Sequence, residues 1–340
     1  MSWTLIGQAD SKRTSYFLKA AEELGCTVSF VEINDFKPEL SAGCVLKLDP
    51  PIYNSCQINQ QPQLTAEYVG FLRNVSLVKG LRFLNHPIDI LAVLDKRHCK
   101  QRLLDAGIPV TPILSSHIGC YDELVAEMKE RHIHQVFIKP NTGSGAAGVV
   151  AFRLNAKNNE QVMYTAALAK DGQLLNTKQM RRTNSSAEAK STINKILAQD
   201  AIVEQWIPKA THNAVSYDLR VVWQFGKMAF IVPRFSKSPI TNLHLNNMAG
   251  LFDDLQLNSS VVSQIEKVCG NTMKLFPRLC YAGIDILLTK DSLQPMVIEV
   301  NGQGDLIYQD IYAENRIYKQ QLIEGKSYLT THQYAKNIAY

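Results

Sequence analysis

The sequence predicts an α/β (α+β) protein, with a small parallel-sheet unit at the N-terminus and a larger region of mixed strands and helices after it. Three observations carry this prediction. Trp3 to Gly7 is a short apolar run, Ser11 to Leu24 repeats apolar residues at helical spacing and stops at Gly25, and Thr27 to Ile33 resumes strand character, which makes a β-α-β opening. VFIKPNTGSGAAGVV, residues 136 to 150, reads as a strand, a glycine-rich turn and a second strand. YAGIDILLTKDSLQPMVIEVNGQGD, residues 281 to 305, reads as two strands joined by the polar turn Lys290 to Pro295.

The remaining elements follow in order. Gly7-Gln8-Ala9-Asp10 lacks the glycine triplet of a dinucleotide fingerprint, so it is read as a connection only. Pro50-Pro51 marks a turn, Gln60 to Gln63 a polar loop, Thr65 to Lys79 a helix and Arg82 to Leu84 a short strand. Strands are expected near 136–140, 149–154, 161–168 and 173–180, then a helix from Ala187 to Gln199, with further strands after Asp218. Internal repeats and low-complexity stretches are absent.

Composition excludes several classes of function. With 340 residues, 46% hydrophobic and 20% charged, the chain has room for two or three well-buried cores. A formal net charge of +5, spread along the chain, argues against nucleic acid and membrane as partners. Lys178, Arg181 and Arg182 form the densest basic spot. The seven cysteines, Cys26, Cys44, Cys56, Cys99, Cys120, Cys269 and Cys280, are odd in number and form no CxxC pair, which fits a reducing cytoplasm. His98-Cys99 and His132-x-His134 lack partners at zinc-site spacing. Met1-Ser2-Trp3-Thr4 does not open a signal peptide, and no run approaches the roughly 20 apolar residues that span a bilayer, so a cytoplasmic location is expected.

Two segments carry chemistry. In the first, Val136, Phe137 and Ile138 deliver Lys139 into a turn containing Gly143, Ser144, Gly145 and Gly148. Glycines let backbone N–H groups approach a polyphosphate, and a lysine adds a point charge, so a nucleotide is the natural ligand. An ordinary glycine-rich hairpin with an exposed lysine is the competing reading, and the spacing is not that of a Walker A loop. In the second, Asp285 lies on one strand, and Glu299 and Asn301 sit two residues apart on the next, on one face of an extended chain. Three oxygen-bearing side chains on adjacent strands suit Mg²⁺, which shares its oxygen ligands with substrate phosphates. Glu299 stands among Val297, Ile298 and Val300, where an unpaired carboxylate would be costly, so function explains it better than surface decoration does.

From about residue 85 onward these segments, in this order, resemble the ATP-grasp superfamily of ligases. Asn85-His86-Pro87, then Asp95-Lys96 and LLDAGIPVTP at 103–112, look like the approach to its catalytic region. The resemblance implies that Lys96 and Lys139 reach the ATP phosphates, that Glu204, Gln205 and Ile207 of AIVEQWI hold adenine, and that Asp285, Glu299 and Asn301 are the metal ligands. Tyr217-Asp218-Leu219-Arg220, Arg234 and Asn242-Leu243-His244 resemble the glutathione-synthetase and ribosomal-protein glutamate-ligase (RimK-like) branch. There Arg234 first and Arg220 second would serve the transferring phosphoryl group, and Asn242 and His244 would contact substrate. The paired glycines usual after that element are replaced by Leu245-Asn246-Asn247-Met248, and the sequence after Asn301 matches no ligase of known substrate.

The implied organisation is a Rossmann-like pre-ATP-grasp domain over residues 1–92 and a catalytic region over 93–340, its mobile lid at about 110–203 and its base at about 204–320. The implied cofactors are ATP with one or two Mg²⁺ ions, or Mn²⁺. The implied partners are small-molecule or peptide carboxylates and amines, and a homo-oligomer is compatible with the pattern. The implied reaction is amide formation through an acylphosphate. The scaffold also carries phosphotransferases and nucleotide-binding proteins without turnover, so these stay open here.

Overall fold

The computed structural model describes residues 2–38, 43–52, 57–114, 118–143, 145–170 and 173–332. Its first body is a parallel sheet. Strand β1 (Trp3–Gly7) pairs with β2 (Val28–Glu32) on one side and β3 (Val45–Leu48) on the other, and β4 (Arg82–Phe83) extends the sheet beyond β3. Helix α1 (Lys12–Glu23) is capped by Ser11, whose Oγ accepts from the N–H of Arg13 at 3.2 Å, and the chain leaves it at Gly25 with φ +62°. Helix α2 (Gln61–Ser76) begins inside the segment expected as a loop. Pro62 sits in its first turn, where proline's fixed φ is favourable and its missing N–H costs nothing.

Helices α3 (Pro87–Leu94) and α4 (Lys96–Asp105) lead into the second body. After helix α5 (Tyr121–Glu130), strands β5 (Gln135–Pro140), β6 (Val150–Leu154), β7 (Gln161–Lys170) and β8 (Gln173–Thr183), helix α6 (Ser186–Leu197) and strand β9 (Ala201–Gln205) complete it. The strands form an antiparallel sheet in the order β8-β7-β6-β5-β9. Ser185 and Glu188 sit at capping-box spacing at the start of α6, and Ser185 Oγ accepts from the N–H of Glu188 at 3.3 Å. The core of this body includes Ile58, which arrives from the N-terminal body and is 1% exposed.

The third body is a six-stranded antiparallel sheet. Strands β11 (Val215–Gln224) and β12 (Lys227–Ser236) make a hairpin whose turn, Phe225-Gly226, has φ +52° and +84°. Positive φ at both turn residues matches the twist of the flanking strands. Strand β14 (Tyr281–Leu288) pairs with β11 and with β15 (Pro295–Asn301). Short strands β10 (Thr211–His212) and β13 (Met248–Ala249) complete the sheet. Helix α7 (Ser259–Leu275) packs behind it through Ile265, Cys269 and Met273.

The tail after Asn301 turns back to the first body. A short helix α8 (Tyr308–Ile311) and a long one, α9 (Arg316–His332), place Ile317, Tyr318 and Leu322 in one core with Trp3 and Phe17. No helix among the described residues is long and apolar enough to cross a membrane.

Beneath this core lies an ion network in which Lys47, Asp49 and Asp305 are buried and Arg13 is partly exposed. Lys47 on β3 contacts Asp49 and sits 3.0 Å from Oδ2 of Asp305, while Arg13 Nη1 donates to Oδ1 of Asp305 at 2.7 Å. Asp305 is 0% exposed, and removing its carboxylate takes the acidic partner from Arg13 and leaves the buried Lys47 with Asp49 alone. Asp305→Ala is therefore expected to lower the unfolding free energy by about 3–5 kcal/mol, read from the denaturant midpoint. A loss under about 1 kcal/mol would mean that the site is wet enough to need no partner.

Candidate active site

A cavity of about 810 Å³ opens where the three bodies meet. Its roof is the glycine turn after β5. Gly143, Gly145, Ala146 and Gly148 take φ +121°, +71°, +60° and +73°, a run that L side chains rarely sustain. Gly143 and Gly145 line the cavity, whereas Gly148 folds onto Pro140, where a Cβ would lie 2.9 Å from the ring. Ser144 lies outside the described residues. Helix α4 is pinned to this turn by its first residues: the Lys96 N–H donates to O of Asn141 at 3.2 Å, and that of Arg97 to Oδ1 of Asn141 at 2.9 Å. Lys96 then reaches across the cavity, donating to O of Gly143 at 3.0 Å and lying 3.2 Å from Oε1 of Glu299.

At one end stand Glu204, Gln205 and Ile207. The Gln205 N–H donates to O of Pro112 at 2.8 Å, which fixes the end of β9. Glu204 is 1% exposed, and its Oε2 takes Lys100 at 2.8 Å, Lys139 at 2.9 Å and Thr111 Oγ1 at 2.9 Å. Burial pushes its carboxyl up, but Lys100 and Lys139 outweigh burial and hold it at about 2. Its Oε1 is buried without a partner, an acceptor that the amino group of a nucleobase would satisfy.

The floor is a row of charges set by strand register. Asp218 stands directly opposite Arg234, Arg220 opposite Asp285, and Asp285 opposite Glu299. Arg234 Nε donates to Oδ1 of Asp218 at 2.7 Å and its Nη2 lies 3.1 Å from Oδ2 of Asp285, while Arg220 Nε donates to Oδ1 of Asp285 at 2.5 Å. Asp218 also accepts from Lys209 at 3.1 Å and from Thr241. Burial opposes ionisation of Asp218, yet Arg234 and Lys209 hold its carboxyl well below the usual range. Lys100, Lys209 and Thr241 were not singled out in the sequence. Lys100 was the most detectable, four residues beyond Lys96 and so on the same helix face.

Beyond the floor, Asn242 caps a 3₁₀ turn (Leu243–Leu245) by accepting from the N–H of His244 at 2.9 Å, and both residues line the cavity. Asn246 takes φ +58°, the left-handed conformation in which asparagine substitutes for glycine, and Asn247 Nδ2 donates to O of Ile240 and of Asn242. Burial, then Arg220, pushes the His244 imidazole below its ordinary range. Lys178 also lines the cavity, while Arg181 is paired with Glu188 at 2.6 Å.

Asp285, Glu299 and Asn301 all face the cavity. Asn301 Nδ2 donates to O of Gly283 at 3.3 Å, which leaves Oδ1 to act as a ligand. Among the described residues no group of three His, Cys, Asp or Glu side chains could hold a metal ion; this trio supplies two carboxylates and one amide oxygen. That hard-oxygen set fits Mg²⁺ when phosphate oxygens complete the shell, although Asp285 would share its lone pairs with two guanidiniums.

Residues 120–336 match the family described as YheC/D like ATP-grasp. The chain belongs to that family. The narrower likeness to the glutathione-synthetase and glutamate-ligase branch is not part of the match. No curated protein is similar to this ATP-grasp chain in sequence. Its fold is similar to that of the D-cycloserine synthetase DcsG, at TM-score 0.63 and 13% identity, over 96% of this chain and 100% of that one. The D-alanine–D-alanine ligase from Bacillus anthracis complexed with ATP follows at TM-score 0.58 and 15% identity, over 98% and 99%. The ATP-grasp ligase PsnB complexed with precursor peptide PsnA2 and AMPPNP gives 0.55 and 14%, over 95% and 97%. At such identities the likeness is one of fold.

The Glu204 cluster makes stability depend on pH. A carboxyl held at about 2 against an ordinary 4.5 contributes fully above pH 4.5, and that contribution is lost as pH falls toward 2. Glu204→Gln should lower the melting temperature at pH 7 and flatten its decline between pH 4.5 and 2. An equally steep decline in the variant would show that Glu204 is not the group titrating there.

Proposed function

We propose that this ATP-grasp protein is an ATP-dependent carbon–nitrogen ligase, which activates a substrate carboxylate as an acylphosphate and joins it to an amine, releasing ADP and phosphate. The observation that carries this reading is the row Asp218, Arg234, Arg220, Asp285 and Glu299, aligned by register beneath a glycine turn that Lys96 ties to Glu299. The family match supports it, as do the similar structures, a synthetase and ligases, one of them bound to a precursor peptide.

In this reading adenine lies against Glu204, Gln205 and Ile207, and the bare Oε1 of Glu204 accepts from its amino group. The N–H groups of the turn and the ammonium groups of Lys96 and Lys139 hold the phosphates. Asp285, Glu299 and Asn301 would hold one or two Mg²⁺ ions, or Mn²⁺, which neutralise charge on the phosphate oxygens when bound. Arg220 and Arg234 face the phosphoryl group as it moves to the carboxylate. Arg234 is 5% exposed and fixed by Asp218, so it meets developing negative charge without rearranging. Arg220 is the more open of the two, with its side chain 18% exposed. Asn242 and the imidazole of His244 face the acceptor. A reducing cytoplasm is the location this reading expects, and the free cysteines among the described residues accord with it.

The test is a screen of amino acids, dipeptides and short peptides with MgATP, followed by ¹⁸O labelling of the reactive carboxylate. Phosphate release that requires both a carboxylate and an amine, with one labelled oxygen in the phosphate, is the expected result. Amide formation with unlabelled phosphate would sink the acylphosphate step, and a stable phosphoester would make the protein a kinase. Glu299→Gln should cut magnesium-dependent turnover by about 10²–10³ while nucleotide still binds. If nucleotide binding and thermal stability collapse together, Glu299 is a structural partner of Lys96.

A further inference from the structure

Lys139 is already engaged before any nucleotide arrives. Its Nζ lies 2.9 Å from Oε2 of Glu204, a carboxylate with 1% of its side chain exposed. Moving that ammonium to a phosphate would leave a buried negative charge behind, and an uncompensated buried charge is among the costliest groups in a protein. A second cation prevents this. Lys100 Nζ lies 2.8 Å from the same Oε2, and it also donates to O of Thr111 at 3.3 Å and to its Oγ1.

The two lysines differ in reach. Lys139 lines the main cavity, whereas Lys100 lines a small cleft behind it between α4 and β15, so it does not touch a ligand there. Helix α4 divides the work along one face: Lys96 serves Gly143 and Glu299, and one turn later Lys100 serves Glu204. We propose that Lys100 is a positioning residue: by staying on Glu204 it releases Lys139 to the nucleotide phosphates. This rests on the ATP-binding reading above.

The charged groups that bear on Lys100 are Glu204 of β9, Lys139 of β5 and Glu299 of β15, with Lys96 on its own helix. Burial pushes its ammonium down to about 8, with Glu204 opposing. As pH rises through that value Lys100 loses its charge and Glu204 retains Lys139. Phosphate affinity should then fall.

The experiment compares the Kd of a non-hydrolysable ATP analogue with magnesium to that of adenosine, which lacks phosphates. In Lys100→Met the analogue should bind about 10- to 100-fold more weakly, the equivalent of one lost charge-assisted hydrogen bond, while adenosine is unchanged. The double variant Lys100→Met, Glu204→Gln should recover the analogue-to-adenosine ratio, because no carboxylate is left to trap Lys139. Equal weakening of both ligands would make Lys100 a mere support of the Glu204 end of the cavity, and unchanged analogue affinity in the folded variant would also overturn the proposal. Should Lys100→Met fail to fold, Lys100→Arg, which keeps a cation on Glu204, should hold the wild-type ratio while Lys100→Gln raises it, and equal ratios in the two variants overturn the proposal. If the wild type binds neither ligand, the ATP reading fails rather than this one.

Discussion

The backbone crossing between Gly283 and Gly304 is the constraint on which the site depends. A Cβ on Gly283 would lie 2.5 Å from O of Gly304, and one on Gly304 would lie 2.7 Å from Cα of Gly283, so only glycine fits at either position. That contact lets the chain turn sharply after Asn301 and sends Asp305 under the sheet to Lys47 and Arg13. Asn85 braces the same point, since its Oδ1 accepts from the N–H of Cys280 at 2.7 Å and its Nδ2 donates to O of Tyr281 at 2.8 Å and to O of Gly302. The end of β15, with Glu299 and Asn301, is thereby fixed against the N-terminal sheet as well as against its own hairpin. Asp305 thus joins two bodies and also sets where the oxygen side chains point.

Within the cavity every acid of the proposed site has a cation: Glu204 has Lys100 and Lys139, Asp218 has Arg234 and Lys209, Asp285 has both arginines, and Glu299 has Lys96. Buried charges require such pairing, because desolvation of a lone ion costs more than most single contacts return. The arrangement also suits an incoming polyphosphate. A cation that exchanges its carboxylate for a phosphate oxygen leaves the carboxylate in need of a second partner, which Glu204 has because Lys100 and Lys139 both sit on it. Positioning then comes from the sheet register, which is settled when the protein folds.

Much of this was legible in the sequence, for physical reasons that vary along the chain. The hairpin 281–301 and the strands around the glycine turn stood out because apolar runs there are interrupted only by chemically meaningful residues. β3 did not stand out, since VLKL is four residues long and its lysine reads as exposed until Asp49 and Asp305, 256 positions apart in sequence, meet around it. The start of α2 was hidden by Gln61-Pro62-Gln63, whose polarity suggests a loop although proline suits a first helical turn. The tail offered no motif, and its role follows from burial of Ile317, Tyr318 and Leu322 against Trp3 and Phe17. The glycines missing after the Asn242 element are replaced in conformation by Asn246, which a pattern of residue types alone does not reveal.

The same packing bears on how the cavity opens. The glycine-turn body is held from two sides: Ile58 of the N-terminal body sits in its core, with Asn59 Oδ1 accepting from the N–H of Leu174 at 3.0 Å, and Leu245 of the base packs on Ala151 and Ala166. Withdrawing a buried isoleucine from an apolar core costs about 1.5–3 kcal/mol, and withdrawing a leucine costs as much again. A rigid swing of this body away from both neighbours therefore costs several kcal/mol. A motion in which the 57–60 segment travels with the glycine turn leaves Ile58 in place, breaks the base contacts of Leu245 and Ile240, and so costs less. The cheaper motion would part the bodies on the acceptor side, next to Asn242 and His244, where Leu245 and Ile240 make the contact.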